Sequence, residues 1–210
     1  VTRQDADAIF AYLQSLPPVS QANPAHDIFF PYNSRALLAV WRTLYFKEGV
    51  YEPDQSKSAA WNRGAYLVQG LGHCSACHTT RNMLGASQDS ALTGGQIMGM
   101  NWYAPSLSSY LEAGSGDWEI EEIAALLTTG ITERAVASGP MATVVRQSLQ
   151  YLSREDVLAM AAYLKSLTEN DVGNAPGVHF SVTSGSLRRH LELGGKIYRE
   201  YCQECHGADG

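Results

Sequence analysis

Apolar residues recur every three or four positions in four stretches of the 210-residue chain, the spacing of helices with one buried face. In residues 1–16, Ile9, Leu13 and Leu16 share a face with Ala6 and Phe10 beside them. Thr2 can cap this helix with Asp5 three positions on, and Pro17-Pro18 ends it. Ser34 caps a second helix over 35–46, which carries Leu37, Leu38, Val40, Trp41, Leu44, Tyr45 and Phe46. That is too apolar for a freely solvated linker and, with Arg35 and Arg42, too short to cross a membrane. Its expected role is packing between neighbouring domains; docking of a partner subunit is the other use for such a face. Asp117 can cap a third helix over 118–128, with Ile120, Ile123, Ala124 and Leu127 as its stripe and Gly130 as its stop. Glu119, Glu121 and Glu122 fall in its first turns, where the helix dipole favours them. A fourth helix covers 152–167, capped by Ser153 with Asp156 three residues on. Between these lie an extended connector rich in Pro (17–31), a Gly-, Ser- and Ala-rich stretch without a period (82–115), and a Gly-, Asn- and Ser-rich linker (171–186).

The first and fourth helices are alike. Shifted by 151 positions they share Arg3/Arg154, Asp5/Asp156, Ala8/Ala159, Ala11/Ala162, Tyr12/Tyr163, Leu13/Leu164, Ser15/Ser166 and Leu16/Leu167. Eight identities in sixteen exceed what two unrelated amphipathic helices share, so a unit repeats. Its opening repeats too: Gly64-Ala65-Tyr66-Leu67 and Gly194-Gly195-Lys196-Ile197-Tyr198 each lead into a pair of cysteines. The expected organisation is a closing helix of a preceding unit (1–16), a linker with one helix (17–57), a complete unit (58–170), a second linker (171–189) and the start of a further unit (190–210).

Composition adds bounds. An apolar fraction of 45% is ordinary for a globular chain. The net charge of −6 argues against nucleic acid as a partner. No apolar run of about 18 residues and no signal peptide is visible. The chain opens on Val1 and stops four residues after His206, so both ends look cut; the full-length protein is expected to have an anchor beyond these ends or to be held at the membrane by a partner.

All four cysteines fall in two motifs, Cys74-Ser75-Ala76-Cys77-His78 and Cys202-Gln203-Glu204-Cys205-His206, leaving none for a structural disulfide. C-x-x-C-H is the attachment pattern of a c-type haem. Its two thiols can bond the two vinyl groups, and the histidine is placed to bind the iron. A thioredoxin-like pair needs a βαβ context, which is absent here, and paired zinc C-x-x-C motifs usually sit about 15–20 residues apart. Cys74 and Cys202 are 128 apart, and neither rival requires a histidine after the second cysteine. A haem supplies a large apolar surface, which can organise a stretch such as 82–115.

The run from Trp61-Asn62-Arg63-Gly64-Ala65-Tyr66-Leu67-Val68 through Gly72-His73-Cys74 to His78-Thr79-Thr80-Arg81-Asn82 resembles the second haem domain of the three-haem cytochrome c subunits of membrane-bound dehydrogenases, among them the periplasmic alcohol and gluconate dehydrogenases. Trp102-Tyr103-Ala104-Pro105 and Gly139-Pro140-Met141 resemble later motifs of the same family; Thr80 stands where that family commonly has Pro. The resemblance implies an all-α fold of tandem class I cytochrome c-like domains, one complete and two partial in this chain. It also implies haem c at both motifs and three haems in the full-length protein. Such a subunit sits at the periplasmic face of the inner membrane and passes electrons from a catalytic dehydrogenase subunit to membrane quinone or a terminal oxidase. Related subunits serve molybdenum-cofactor dehydrogenases. The rival classes are a di-haem peroxidase-like enzyme, which needs an open iron position, and a haem-based sensor or assembly subunit.

Within that frame Cys74 and Cys77 are the thioether positions and His78 the proximal ligand; Cys202, Cys205 and His206 take the same roles at the second motif. Pro105-Ser106-Leu107 resembles the Pro-Asn-Leu of small cytochromes c, whose proline carbonyl accepts the other ring N–H of the proximal histidine. The alternative is that Pro105 only shapes a turn. Trp102, Tyr103 and Arg134 are candidates for haem-wall or propionate contacts, while His26, His73, His179 and His190 read as solvated or structural. Met141 is the expected sixth ligand, on a turn before a helix starting near Thr143 and 63 residues after His78, the order seen in cytochromes of this type. Met83 is too close to His78, Met160 reads as core, and Met98 and Met100 are competitors in a Gly-rich loop. Met141 as a flexible core filler is the other reading.

Overall fold

A computed structural model describes residues 1–25, 27–87, 91–109, 117–169 and 185–207, with backbone alone at 169, 185–188, 190, 205 and 206. The helices are α1 (Arg3–Ser15), α2 (Arg35–Tyr45), α3 (Ala59–Tyr66), α4 (Ile120–Thr129), α5 (Gly139–Gln147), α6 (Arg154–Glu169), α7 (Gly185–Tyr201) and α8 (Gln203–His206). One antiparallel hairpin interrupts them: β1 (Gly95–Ile97) pairs with β2 (Trp102–Ala104), Gly95 opposite Ala104 and Ile97 opposite Trp102. The chain divides into two compact units, Val1–Asn174 and Ala175–Gly210.

The first unit is built on the contact between α3 and α6. Ser58 caps α3 by accepting from Trp61 N–H at 3.1 Å, and Ser153 does the same for Asp156 N–H at 3.2 Å. The two helices meet at Gly64, where an added Cβ would lie 2.0 Å from the carbonyl oxygen of Ala159. Only a residue without a side chain allows that approach. Around the crossing, Trp61 Nε1–H donates to Ser166 Oγ at 2.7 Å, and its ring meets Tyr163 edge-on at 5.1 Å. Arg63 grips both Asp156 oxygens at 2.7 and 2.9 Å. Val68, Val157, Met160, Ala161 and Leu164 fill the space beneath, and Ile123, Ala124 and Leu127 of α4 close it. Met160 is therefore core, as expected.

Three local features depart from the sequence reading. The cap of α4 is Glu119, not Asp117: Glu122 reaches back to Glu119 N–H at 3.0 Å in a capping box, while Asp117 is drawn to Arg134. The stretch expected to lack regular structure contains the β1–β2 hairpin, turned by Gly99 and Asn101 at positive φ. In the second unit α7 begins at Gly185, inside the expected linker; residues 170–184 lie outside the described ones. Gly130 stops α4 in the left-handed conformation, as its position implies.

No residue of α1 or α2 is buried. α1 is tied at its start, where Thr2 N–H donates to Tyr66 Oη at 3.0 Å and that hydroxyl donates to Asp5. α2 is held by Trp41 Nε1–H on the Leu84 carbonyl at 2.9 Å. No helix among the described residues is long and apolar enough to cross a membrane.

Candidate functional site

α3 does not end on an ordinary turn. It widens into a π-helical turn, Leu67–Leu71, and the chain then passes through His73 at φ +34. π-turns and left-handed non-glycine residues are costly, and they gather at functional sites. A 3₁₀ turn, Cys74–Ala76, follows. The amides of Cys77 and His78 both donate to the Cys74 carbonyl, at 3.2 and 2.9 Å, so both thiols and the imidazole spring from one turn. Cys74 and Cys77 are free and half-buried, and burial pushes the Cys74 thiol up to about 11.

His78 is buried, and its Nδ1 lies 2.7 Å from the Pro105 carbonyl oxygen. A carbonyl can only accept, so Nδ1 carries the proton and Nε2 keeps its lone pair. Burial lowers the pKa of the ring, partly offset by the Pro105 bond, so the imidazole is neutral at pH 7. A neutral, oriented imidazole with a free lone pair is a metal ligand in waiting. Pro105 thus supplies the carbonyl contact expected of it.

Residues that the sequence reading passed over complete the support. Gly94 N–H donates to the His78 carbonyl at 3.0 Å, and Gly95 presses so close that a Cβ there would lie 2.7 Å from the Thr79 carbonyl oxygen. The Arg81 guanidinium clasps the carbonyls of Gly85 and Ala76 at 2.8 and 2.9 Å, tying the following loop to the motif turn. The adjacent glycines and a cation three residues after the histidine were the available signals. Thr79 Oγ1 is buried with no hydrogen-bond partner among the described residues, a polar atom one residue from His78 left for a bound group or a water.

The methionines separate by burial. Met83 is 99% exposed, Met98 68% and Met100 57%, whereas Met160 is 2% exposed in the α6 core. Met141 is half-buried against the core, in the first turn of α5. That helix starts at Gly139 rather than near Thr143, because Pro140 suits a first helical turn. Trp102 is half-exposed, with its indole against Gly139. The Tyr103 hydroxyl lies by Gly94. Arg134 is engaged elsewhere, with Asp117 at 3.0 Å and Glu122 at 3.6 Å, near the face of Trp118. The α4 N-terminus is therefore its anchor.

At the second motif Cys202 is free and half-buried, and its amide donates to the Tyr198 carbonyl at 2.8 Å. Cys205 and His206 lie on α8; their side chains fall outside the described ones. No group of three or more His, Cys, Asp or Glu side chains that could hold a metal ion occurs among the described residues. One buried, neutral imidazole with two thiols on the same turn does suit a covalently held haem.

Known proteins agree. Residues 62–168, just over half of the chain, match the family described as cytochrome c. The chain is 41% identical over 211 residues to one of the subunits of nicotinate dehydrogenase from Pseudomonas putida, covering 98% of this chain and 17% of that protein. It is 34% identical over 227 residues to the fructose dehydrogenase cytochrome subunit of Gluconobacter japonicus, covering 100% and 46%. It is also 34% identical over 221 residues to the gluconate 2-dehydrogenase cytochrome c subunit of Pantoea cypripedii, covering 100% and 50%. The chain thus spans half or less of the length of each. With the motif, the held histidine and this match together, the chain belongs to the cytochrome c family, and cytochrome subunits of dehydrogenases are among its relatives.

Proposed function

We propose that this chain is the electron-transfer part of a multihaem c-type cytochrome, taking single electrons from a catalytic dehydrogenase subunit and handing them to membrane quinone or a terminal oxidase. The observation that carries this reading is the C-x-x-C-H turn whose histidine is held, neutral and buried, by the Pro105 carbonyl at 2.7 Å. Cys74 and Cys77 would each add S–H across one vinyl group of a haem, forming a C–S bond with no net oxidation. His78 Nε2 and the Met141 thioether would hold its iron. A haem so bound supplies an iron that changes its charge by one. The chain's part is to hold that ligand fixed: the Pro105 bond stops the His78 ring from turning, and burial keeps it from water. A histidine–methionine pair raises the reduction potential, which suits an acceptor of electrons from a dehydrogenase.

Cys202, Cys205 and His206 would hold a second haem, and the full-length protein would carry three. Under this reading the complete cytochrome c domain is 58–170, with 1–16 closing a preceding domain and 190–210 opening a further one. The half-exact copy of α6 in α1 supports it. The relatives named act with nicotinate, fructose or gluconate dehydrogenases, so the proposal stops at the partner class. A place at the periplasmic face of the inner membrane goes with that partnership.

Carbon monoxide separates a carrier from a haem catalyst with an open iron. In a Cys202→Ala/Cys205→Ala variant only the first haem reports. Its reduced form should bind carbon monoxide poorly; ready binding at low gas concentration would favour a peroxidase-like site.

A further inference from the structure

The β1–β2 hairpin touches both the His78 turn and the start of α5. On the His78 side, Gly94 N–H holds the His78 carbonyl at 3.0 Å, and the Pro105 carbonyl, one residue past β2, holds the ring. At the other end of β2, the six-membered ring of Trp102 lies against Gly139. A Cβ on Gly139 would meet three ring atoms at 2.6–2.7 Å, and Gly139 sits at φ +54, a conformation that suits glycine. Pro140 then fixes the next backbone angle, and Met141 follows in the first turn of α5. Trp102 is 46% exposed, so burial alone does not account for an indole there. Trp102 and Pro105 are three residues apart on one segment, whose register against β1 is fixed by three pairs.

We propose that Trp102 is a positioning residue: its flat face sets where α5 begins, and so holds the Met141 thioether in register with the imidazole that the same segment orients through Pro105. This rests on the reading of Met141 as sixth ligand. The strand acts as a spacer between the two side chains that would hold the iron. A bulky aliphatic side chain cannot replace it, because only a planar ring offers the glycine backbone a surface at this distance.

The test uses the full chain with Cys202→Ala/Cys205→Ala, loaded with haem, and adds Trp102→Ala, Trp102→Leu, Trp102→Phe or Met141→Ala. The readouts are the absorption spectrum of methionine-ligated ferric haem, the reduction potential and the carbon monoxide affinity. Trp102→Ala and Trp102→Leu should weaken the methionine band and tighten carbon monoxide binding by about tenfold, as the detached population grows by that factor. Trp102→Phe keeps a flat face and should stay near the parent. Trp102→Leu carries the test if Trp102→Ala does not fold. Carbon monoxide affinity and spectra unchanged in Trp102→Leu would overturn the proposal, as would a loss in Trp102→Phe equal to that in Trp102→Leu. If Met141→Ala itself changes nothing, the ligand reading fails instead, and the two failures are told apart.

Discussion

If Met141 is the sixth ligand as proposed, replacing it with Ala should open the iron to carbon monoxide and lower the potential of that haem, since a thioether ligand favours the reduced state. Met98→Ala and Met100→Ala should do neither, because both side chains lie mostly in solvent. An unchanged spectrum and potential in Met141→Ala would remove Met141 from the site. What could be read from the sequence at this scale follows from where a residue keeps its information. Cys74, Cys77 and His78 declare themselves because their chemistry depends on spacing along the chain. Pro105 acts through its carbonyl, which every residue possesses, so its sequence could not choose between acceptor and turn-former. Arg134 was open for a related reason: a lone arginine suits a propionate as well as a carboxylate, and Asp117, which it pairs with here, lies 17 residues away.

At the scale of elements, the α3–α6 crossing is the most exposed to test. Gly64→Ala should cost about 3 kcal/mol or more in denaturant unfolding, because the new Cβ meets backbone that no rotamer can move. Gly70→Ala is the control: its Cβ meets nothing closer than 3.9 Å, so the change should be neutral or stabilising by up to about 1 kcal/mol. Equal losses in both would mean the close approach is not what matters. The Arg63–Asp156 pair predicts a pH dependence. The hydrogen bonds from Arg63 hold the Asp156 carboxyl below its ordinary 3.8, so the pair stabilises the fold above that value and loses its effect as pH falls through the lowered one. Arg63 is nearly half exposed, which screens the pair to about 1 kcal/mol or less at neutral pH. The stability gap between the parent chain and Asp156→Asn should therefore be flat from about pH 7 to 5 and close below 3.8. A gap that persists undiminished in acid would contradict it. The helices were legible because their apolar period and caps are local. The β1–β2 hairpin was not: three paired residues are too few to show an alternation, and its purpose lies in His78 and Gly139, both distant in sequence. The start of α4 slipped because Asp117 and Glu119 are both acceptable caps, and the choice turned on Arg134.

For the molecule as a whole, the exposed apolar residues of α1, among them Ile9, Phe10 and Leu13, fit a helix that closes another cytochrome domain, as α6 closes this one. The full-length protein is expected to carry an export signal and either an anchor or a partner that holds it at the membrane; a complete gene without any export signal would speak against this. The relatives belong to nicotinate, fructose and gluconate dehydrogenases, so the motifs this chain shares with them do not follow one substrate. The most direct measurement is the intact mass of the chain matured in an export-competent host, taken after acid-acetone extraction and paired with a pyridine haemochrome spectrum. Two haems should remain covalently attached, falling to one in Cys74→Ala/Cys77→Ala and in Cys202→Ala/Cys205→Ala. A mass equal to that of the bare polypeptide, with the haem freely extracted, would contradict the reading.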